Sequence, residues 1–250
     1  MSTWDALDEE FDRWAAAGRV ATLWWRDDDA GAPSAALDRL FEARRALGTP
    51  LAVAAVPAWL GAEGAGRIGA EDVDVLQHGW DHTDHAAPGA KKVELGGRLH
   101  DTASLAALER GRAVLARLPN TLPVLVPPWN RIAESLVGRL AGAGWRGLSR
   151  FGPRRRAAGG PVTVNTHVDI VAWHHGRGFV GEDAALTAAI DHLRARREGT
   201  VDGGEPTGLL THHAVHDAAC WRFVDRFAAA VAGHGGARWV SAREAFGIGP

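Results

Sequence analysis

No tyrosine occurs in this 250-residue chain, and cysteine and methionine occur once each. The single cysteine, Cys220, excludes an internal disulfide, and without a second thiol there is no zinc knuckle or redox pair. Lysine is nearly absent as well: of 28 basic residues only Lys91 and Lys92 are lysine, and the rest are arginine. There is no excess of charge of one sign. A net charge of −2 argues against a nucleic acid or a membrane surface as the main partner. The longest apolar run, residues 51–60, is interrupted by Pro57 and is too short to span a bilayer. No G-x-G-x-x-G follows the first predicted strand and no P-loop occurs, which removes the best support for a nucleotide fold. The first residues are acidic and lack the apolar stretch of a secretory signal, so the expectation is a soluble, cytoplasmic protein.

What is present is ordinary globular composition, 46% apolar and 23% charged. A chain of this length buries roughly 70–75% of its unfolded surface, so it needs no staple to hold together. Apolar Leu7, Phe11 and Trp14 recur at helical spacing, and Gly18 then stops the helix. Residues 20–25 form an apolar, β-rich run that is expected to end at Arg26. Predicted helices over 33–47, 101–118, 133–143, 182–197 and 217–232 alternate with short apolar strands, the glycine-rich stretch 61–69 reading as a loop. This rhythm predicts a parallel sheet covered by helices, open or closed as a barrel, in one domain spanning residues 1–250. Residues 152–160 and 199–206 read as surface loops, because the rhythm resumes after each.

The chemistry gathers at strand ends. Asp27-Asp28-Asp29, His78 to His82, Pro127 to Arg131, and Thr211-His212-His213 each follow an apolar strand directly, and residues 169–175 lie in or just beyond another. Parallel α/β folds bind ligands at the carboxyl ends of their strands, so these clusters are expected on one rim. Three adjacent aspartates repel one another unless a cation sits among them. Taken alone, such a run is as readily a solvated turn or a helix cap as a functional site. The pair His78-x-x-x-His82 shifts the balance: two neutral imidazoles four residues apart reach one ion, and imidazole with carboxylate suits zinc. His85 is a competing ligand. Eleven tryptophans suit sugar stacking, although Trp4, Trp14 and Trp24 have core-like spacing.

In order and content these clusters resemble the five motifs of the NodB-type polysaccharide deacetylases, carbohydrate esterase family 4. Asp28-Asp29-Ala30 is similar to the family's Asp-Asp-Gly, with Asp27-Asp28 as the alternative register. His78-Gly79-Trp80-Asp81-His82 is similar to His-Ser/Thr-x-x-His, with Gly79 in place of the hydroxyl residue. Val126-Pro127-Pro128-Trp129 stands where the family has Arg-Pro-Pro-Tyr; either Arg26 or Arg131 is the candidate to replace that arginine. Asp169 with Trp173 matches the fourth motif, and Leu210-Thr211-His212 the fifth.

The resemblance implies a distorted (β/α)7 barrel. It implies a metal-dependent hydrolase, most simply a Zn²⁺ enzyme, that removes an acetyl group from an N-acylated amino sugar or glycoconjugate. The substrate is a small carbohydrate, with no nucleic acid and no membrane insertion. Asp29, His78 and His82 become metal ligands, Asp28 the general base, and His212 the general acid with Asp169 raising its pKa. Trp129, Arg131, Trp173 and Leu210 become substrate contacts, the backbone near Trp129 lining the oxyanion site. Two rivals remain: hydrolysis of a cyclic amide in the same superfamily, and a catalytically silent sugar-binding relic, which Val126 favours.

Overall fold

Short polar signals set the helix boundaries. In the computed structural model, which describes residues 2–155, 159–174 and 176–249, Ser2 and Asp5 form a reciprocal capping box at the start of helix α1 (Thr3–Ala16). Ser34 caps α2 (Ala35–Leu47), and Gly48 closes it in the left-handed conformation that glycine adopts without steric cost. Asp217 caps α7 (Ala218–Gly233) through the N–H groups of Ala219 and Cys220. The remaining helices are α3 (Gly61–Gly69), α4 (Asp101–Leu115), α5 (Glu134–Leu140), α6 (Glu182–Glu198) and α8 (Ala242–Ala245).

Nine strands form one parallel sheet among the described residues: β1 (Ala21–Ala30), β2 (Ala52–Ala55), β3 (Asp74–His78), β4 (Thr121–Val126), β5 (Gly147–Leu148), β6 (Val162–Thr163), β7 (Val168–Asp169), β8 (Thr207–Thr211) and β9 (Ala237–Trp239). The order is β6-β5-β4-β3-β2-β1-β8-β7, with β9 beside the start of β1. The curled sheet is the expected distorted α/β barrel. Its ends, β6 and β7, do not pair, and one parallel bridge between Phe151 and Thr166 lies near that seam. Strand residues alternate between two cores, as a two-residue period requires. Trp24, Ala52, Ala54, Leu76, Val124 and Val126 fill one side with Phe246 and Ile248. Leu23, Trp25, Val53 and Val75 pack on the other against helix residues such as Phe11, Leu37, Leu186 and Phe223.

Two local expectations are corrected. Residues 61–69 form a helix instead of a loop: Ile68 is buried in the core, and a Cβ on Gly64 would lie 2.4 Å from the Gly31 carbonyl oxygen. Close packing against the β1–α2 connection overrides the low helix propensity of glycine. Strand β1 does not stop at Trp25 but continues through Arg26, Asp27 and Asp28 to Ala30. Pairing with β2 on one side and β8 on the other carries the acidic residues into the sheet. Residues 156–158 of the arginine-rich loop lie outside the described residues. No helix among the described residues is long and apolar enough to cross a membrane.

Candidate active site

Alternation along β1 gives the three aspartates three different surroundings. Arg26 and Asp28 share the face of Trp24, whereas Asp27 shares the face of Trp25. At Asp29 the strand register breaks and φ turns positive, to 68°, which re-aims the third side chain toward β3.

Asp29 meets His78 and His82. The two Nε2 atoms lie 3.2 and 3.3 Å from Asp29 Oδ1, an oxygen that is buried and accepts no aligned hydrogen bond. His78 Nδ1 is 2.9 Å from the Val126 carbonyl oxygen. A carbonyl only accepts, so Nδ1 carries the proton and the Nε2 lone pair faces Asp29, the tautomer a metal needs. Burial opposes a charged Asp29, but His78, His212 and His82 outweigh it and hold the carboxyl well below its usual range. Burial also opposes a charged His78, yet Asp28 and Asp29 raise its pKa, while burial and His78 lower that of His82. Two imidazoles and a carboxylate with one orphaned oxygen are a donor set suited to a divalent ion.

A residue absent from the motif reading braces this turn. Glu94 accepts the N–H groups of Trp80 (2.6 Å) and His82 (2.9 Å), with Asp81 farther at 3.4 Å. Gly79, at φ 57°, is the position that permits it, because a Cβ there would lie 2.4 Å from Glu94 Oε2. The departure from Ser or Thr at this position therefore has a steric cause. Glu94 follows Lys91-Lys92 in a long loop and carries no periodic signal.

Asp28 is held by Arg26, not by Arg131. The Arg26 guanidinium is fully buried and donates to both Asp28 oxygens, at 2.8 and 2.9 Å. Its other N–H groups reach Asn130 Oδ1 (2.7 Å), Ser149 Oγ (2.6 Å) and the Arg150 carbonyl (3.4 Å). Arg26 thus spans from β1 to the loops after β4 and β5. Arg131 is exposed and donates instead to the Lys92 carbonyl. Asp27 faces away from Asp28 and pairs with Thr211 and His213. The aspartates that face His78, His82 and His212 are therefore Asp29 and Asp28, not Asp27.

Across the cleft, His212 Nε2 lies 4.0 Å from Asp28 Oδ2. Trp173, 38% exposed, sets its edge against the His212 ring at 4.6 Å between centroids. Asp169 accepts the Trp173 indole N–H (2.8 Å) and the Val171 N–H (3.0 Å), with no hydrogen bond to His212. Burial raises the pKa of Asp169, against the lowering influence of His212 nearby. Leu210 is fully buried in β8 between Arg26 and Asp169, so Trp173 is the apolar group that faces outward here. His175 lies outside the described residues.

On the opposite bank, Trp129 and Trp59 pack on the His82 ring at 4.3 and 5.5 Å between centroids. Trp59 is 43% exposed and lies outside every sequence motif. Four of the six described non-glycine residues with positive φ sit here: Asp29, His82, Trp129 and Asn130. Such backbone costs of order 1–3 kcal/mol per residue and persists where surroundings enforce it, often at functional sites.

A second cluster, His167, His192 and Glu205, also brings three donor atoms together, but its protonation excludes a metal. The Gly208 N–H donates to His167 Nδ1 at 3.0 Å, so a neutral His167 must carry its proton on Nε2, the atom that would ligate. Glu205 already accepts the N–H groups of Arg154 and Asn165, and the Arg196 guanidinium lies within the cluster's field. These rings stack at 3.4 Å as buried structure.

That burial has a measurable consequence. Desolvation, then His167 and Arg196, hold His192 down to a pKa of about 2, against roughly 6.5 when unfolded. Between those values the unfolded chain binds the extra proton. His192 therefore contributes its full stability above pH 6.5 and loses it as pH falls, at about 1.4 kcal/mol per pH unit. His192→Gln removes the titration and keeps a polar partner for Thr207. Urea midpoints between pH 7 and 4.5 are expected to fall more steeply for the wild type; parallel slopes would refute the assignment.

No known sequence family model matches the chain, and no curated protein matches it. Solved structures do match in fold. The Bc1960 peptidoglycan N-acetylglucosamine deacetylase is similar with a TM-score of 0.59 at 15% identity, over 92% of this chain and 90% of that one. A family 4 acetyl xylan esterase from Clostridium thermocellum, in complex with a cobalt ion, is similar at 0.54 and 13%, over 91% of each chain. BA3943 from Bacillus anthracis, a pseudoenzyme of the same family, is similar at 0.61 and 13%, over 91% of this chain and 66% of that one.

Proposed function

We propose that this chain, which has the fold of the family 4 carbohydrate esterases, hydrolyses the amide of an N-acetylated amino sugar or related glycoconjugate. The observation that carries the reading is the separate engagement of Asp28 and Asp29, one by Arg26 and one by His78 and His82. A divalent ion, best Zn²⁺ given two imidazoles and a carboxylate, would sit at Asp29, His78 and His82, polarising the acyl carbonyl and acidifying a water.

The chain's own groups supply the rest. Asp28, oriented by the bidentate Arg26, takes the proton of the attacking water at an oxygen facing the cleft. His212 Nε2, across from Asp28, gives a proton to the departing amine, which leaves poorly without one. Trp173 and Trp129 bound the space on either side, so the acyl group meets apolar walls. Val126, standing where the family has arginine, binds His78 through its carbonyl, and Arg26 performs the arginine's part from β1, on the far side of β3 and β2. That substitution weighs against a silent relic.

The test is acetate release from N-acetylglucosamine oligosaccharides by protein loaded with zinc or cobalt. Chelation is expected to stop release and metal to restore it. Asp28→Asn is expected to bind metal as the wild type does while losing about 10²–10⁴-fold in turnover. Stoichiometric metal binding with no acetate from any acylated sugar would instead favour a role like that of the pseudoenzyme neighbour.

A further inference from the structure

Among the described residues, no group holds the His212 ring by its nitrogens. Nδ1 is buried without a hydrogen-bond partner, and Nε2 is 4.0 Å from the closest carboxylate oxygen of Asp28. Asp169, expected to act on His212 through its charge, is engaged by Trp173 and Val171. The direction of the ring therefore comes from the Trp173 edge and from the backbone that carries it.

That backbone is fastened on both sides of His212 to one carboxylate. The Thr211 hydroxyl donates to Asp27 Oδ2 at 2.6 Å, the His213 N–H donates to the same oxygen at 3.0 Å, and His213 Nδ1 donates to Oδ1 at 2.5 Å. The Trp25 indole N–H donates to Thr211 Oγ1 at 2.8 Å, which directs the hydroxyl proton onto Asp27. Asp27 and Thr211 are register partners of adjacent strands, and neither has exposed surface. Lying on the helix-facing side of β1, Asp27 cannot touch substrate.

We infer that Asp27 is the positioning residue of His212, pinning the 211–213 turn so that His212 Nε2 faces Asp28. The inference rests on the hydrolase reading above. It also explains Asp27, the first aspartate of the run, which the motif register Asp28-Asp29 leaves without a part. Asp27→Asn preserves size but removes the charge and can accept at only one atom, so His213 Nδ1 must either lose its bond or give up its proton and turn acceptor, which loosens the ion-paired anchor. A displacement of about 1 Å at a catalytic group costs on the order of 10²-fold.

The experiment compares an N-acetylglucosamine trimer with p-nitrophenyl acetate, whose leaving group needs no proton. Asp27→Asn is expected to lower kcat on the trimer about 10²-fold, with KM, metal content and ester turnover little changed. Thr211→Val should act in the same direction and Thr211→Ser should recover the loss, which keeps the test open if Asp27→Asn does not fold. Equal losses on amide and ester, or loss of bound metal, would reduce Asp27 to general structural support and overturn the inference. A wild type inactive on both compounds would overturn the hydrolase reading and this inference with it.

Discussion

Arg26→Met should cost both stability and activity, the stability loss being larger than that of any other change proposed here outside the metal ligands. The guanidinium is fully buried, and its loss leaves the Asp28 carboxylate uncompensated beside another buried charge. Breaking a buried ion pair on one side typically costs about 3–5 kcal/mol. In a domain of this size that is a fall in Tm of about 6–20 °C. Turnover should drop by about two to four orders of magnitude, since the base loses the group that orients it. A second change separates the two effects. Replacing the pair with apolar residues, Arg26→Met with Asp28→Leu, removes the orphaned charge and should return much of the stability while leaving activity absent. Melting curves and acetate release of the three proteins decide the matter; a Tm near that of the wild type for Arg26→Met would contradict the assignment.

The second large effect belongs to His212→Ala, and it should depend on the substrate. An amide nitrogen must be protonated to depart, whereas p-nitrophenolate departs unaided. The variant is expected to lose about 10²–10⁴-fold on an N-acetyl sugar and far less on the activated ester. Equal losses on both would remove His212 as the acid and shift attention to Asp169, whose pKa burial already raises.

The motif residues were legible because residue types at strand ends carry the chemistry directly: Asp29, His78 and His82 converge as their spacing implies. Which arginine contacts Asp28 was not legible. Arg26 and Arg131 lie equally near motif residues in sequence, and only the curl of the sheet carries Arg26 to Asn130 and Ser149. The roles of the three aspartates depend on β1 continuing through them, which acidic residues conceal because they normally mark a turn. Period-two alternation would have separated Asp27 from Asp28 once that strand was drawn to its full length. Glu94 and Gly79 act as a pair joined only in space. Helix α3 was hidden for a related reason: its glycines weaken local propensity while permitting the close approach to Gly31 that stabilises it.

Metal stoichiometry tests the central claim most directly. Elemental analysis after dialysis against limiting zinc is expected to find one ion per chain in the wild type and in His167→Ala/His192→Ala, and none in His78→Ala/His82→Ala. A folded His78→Ala/His82→Ala protein that keeps its ion, or an ion lost only with His167 and His192, would contradict it.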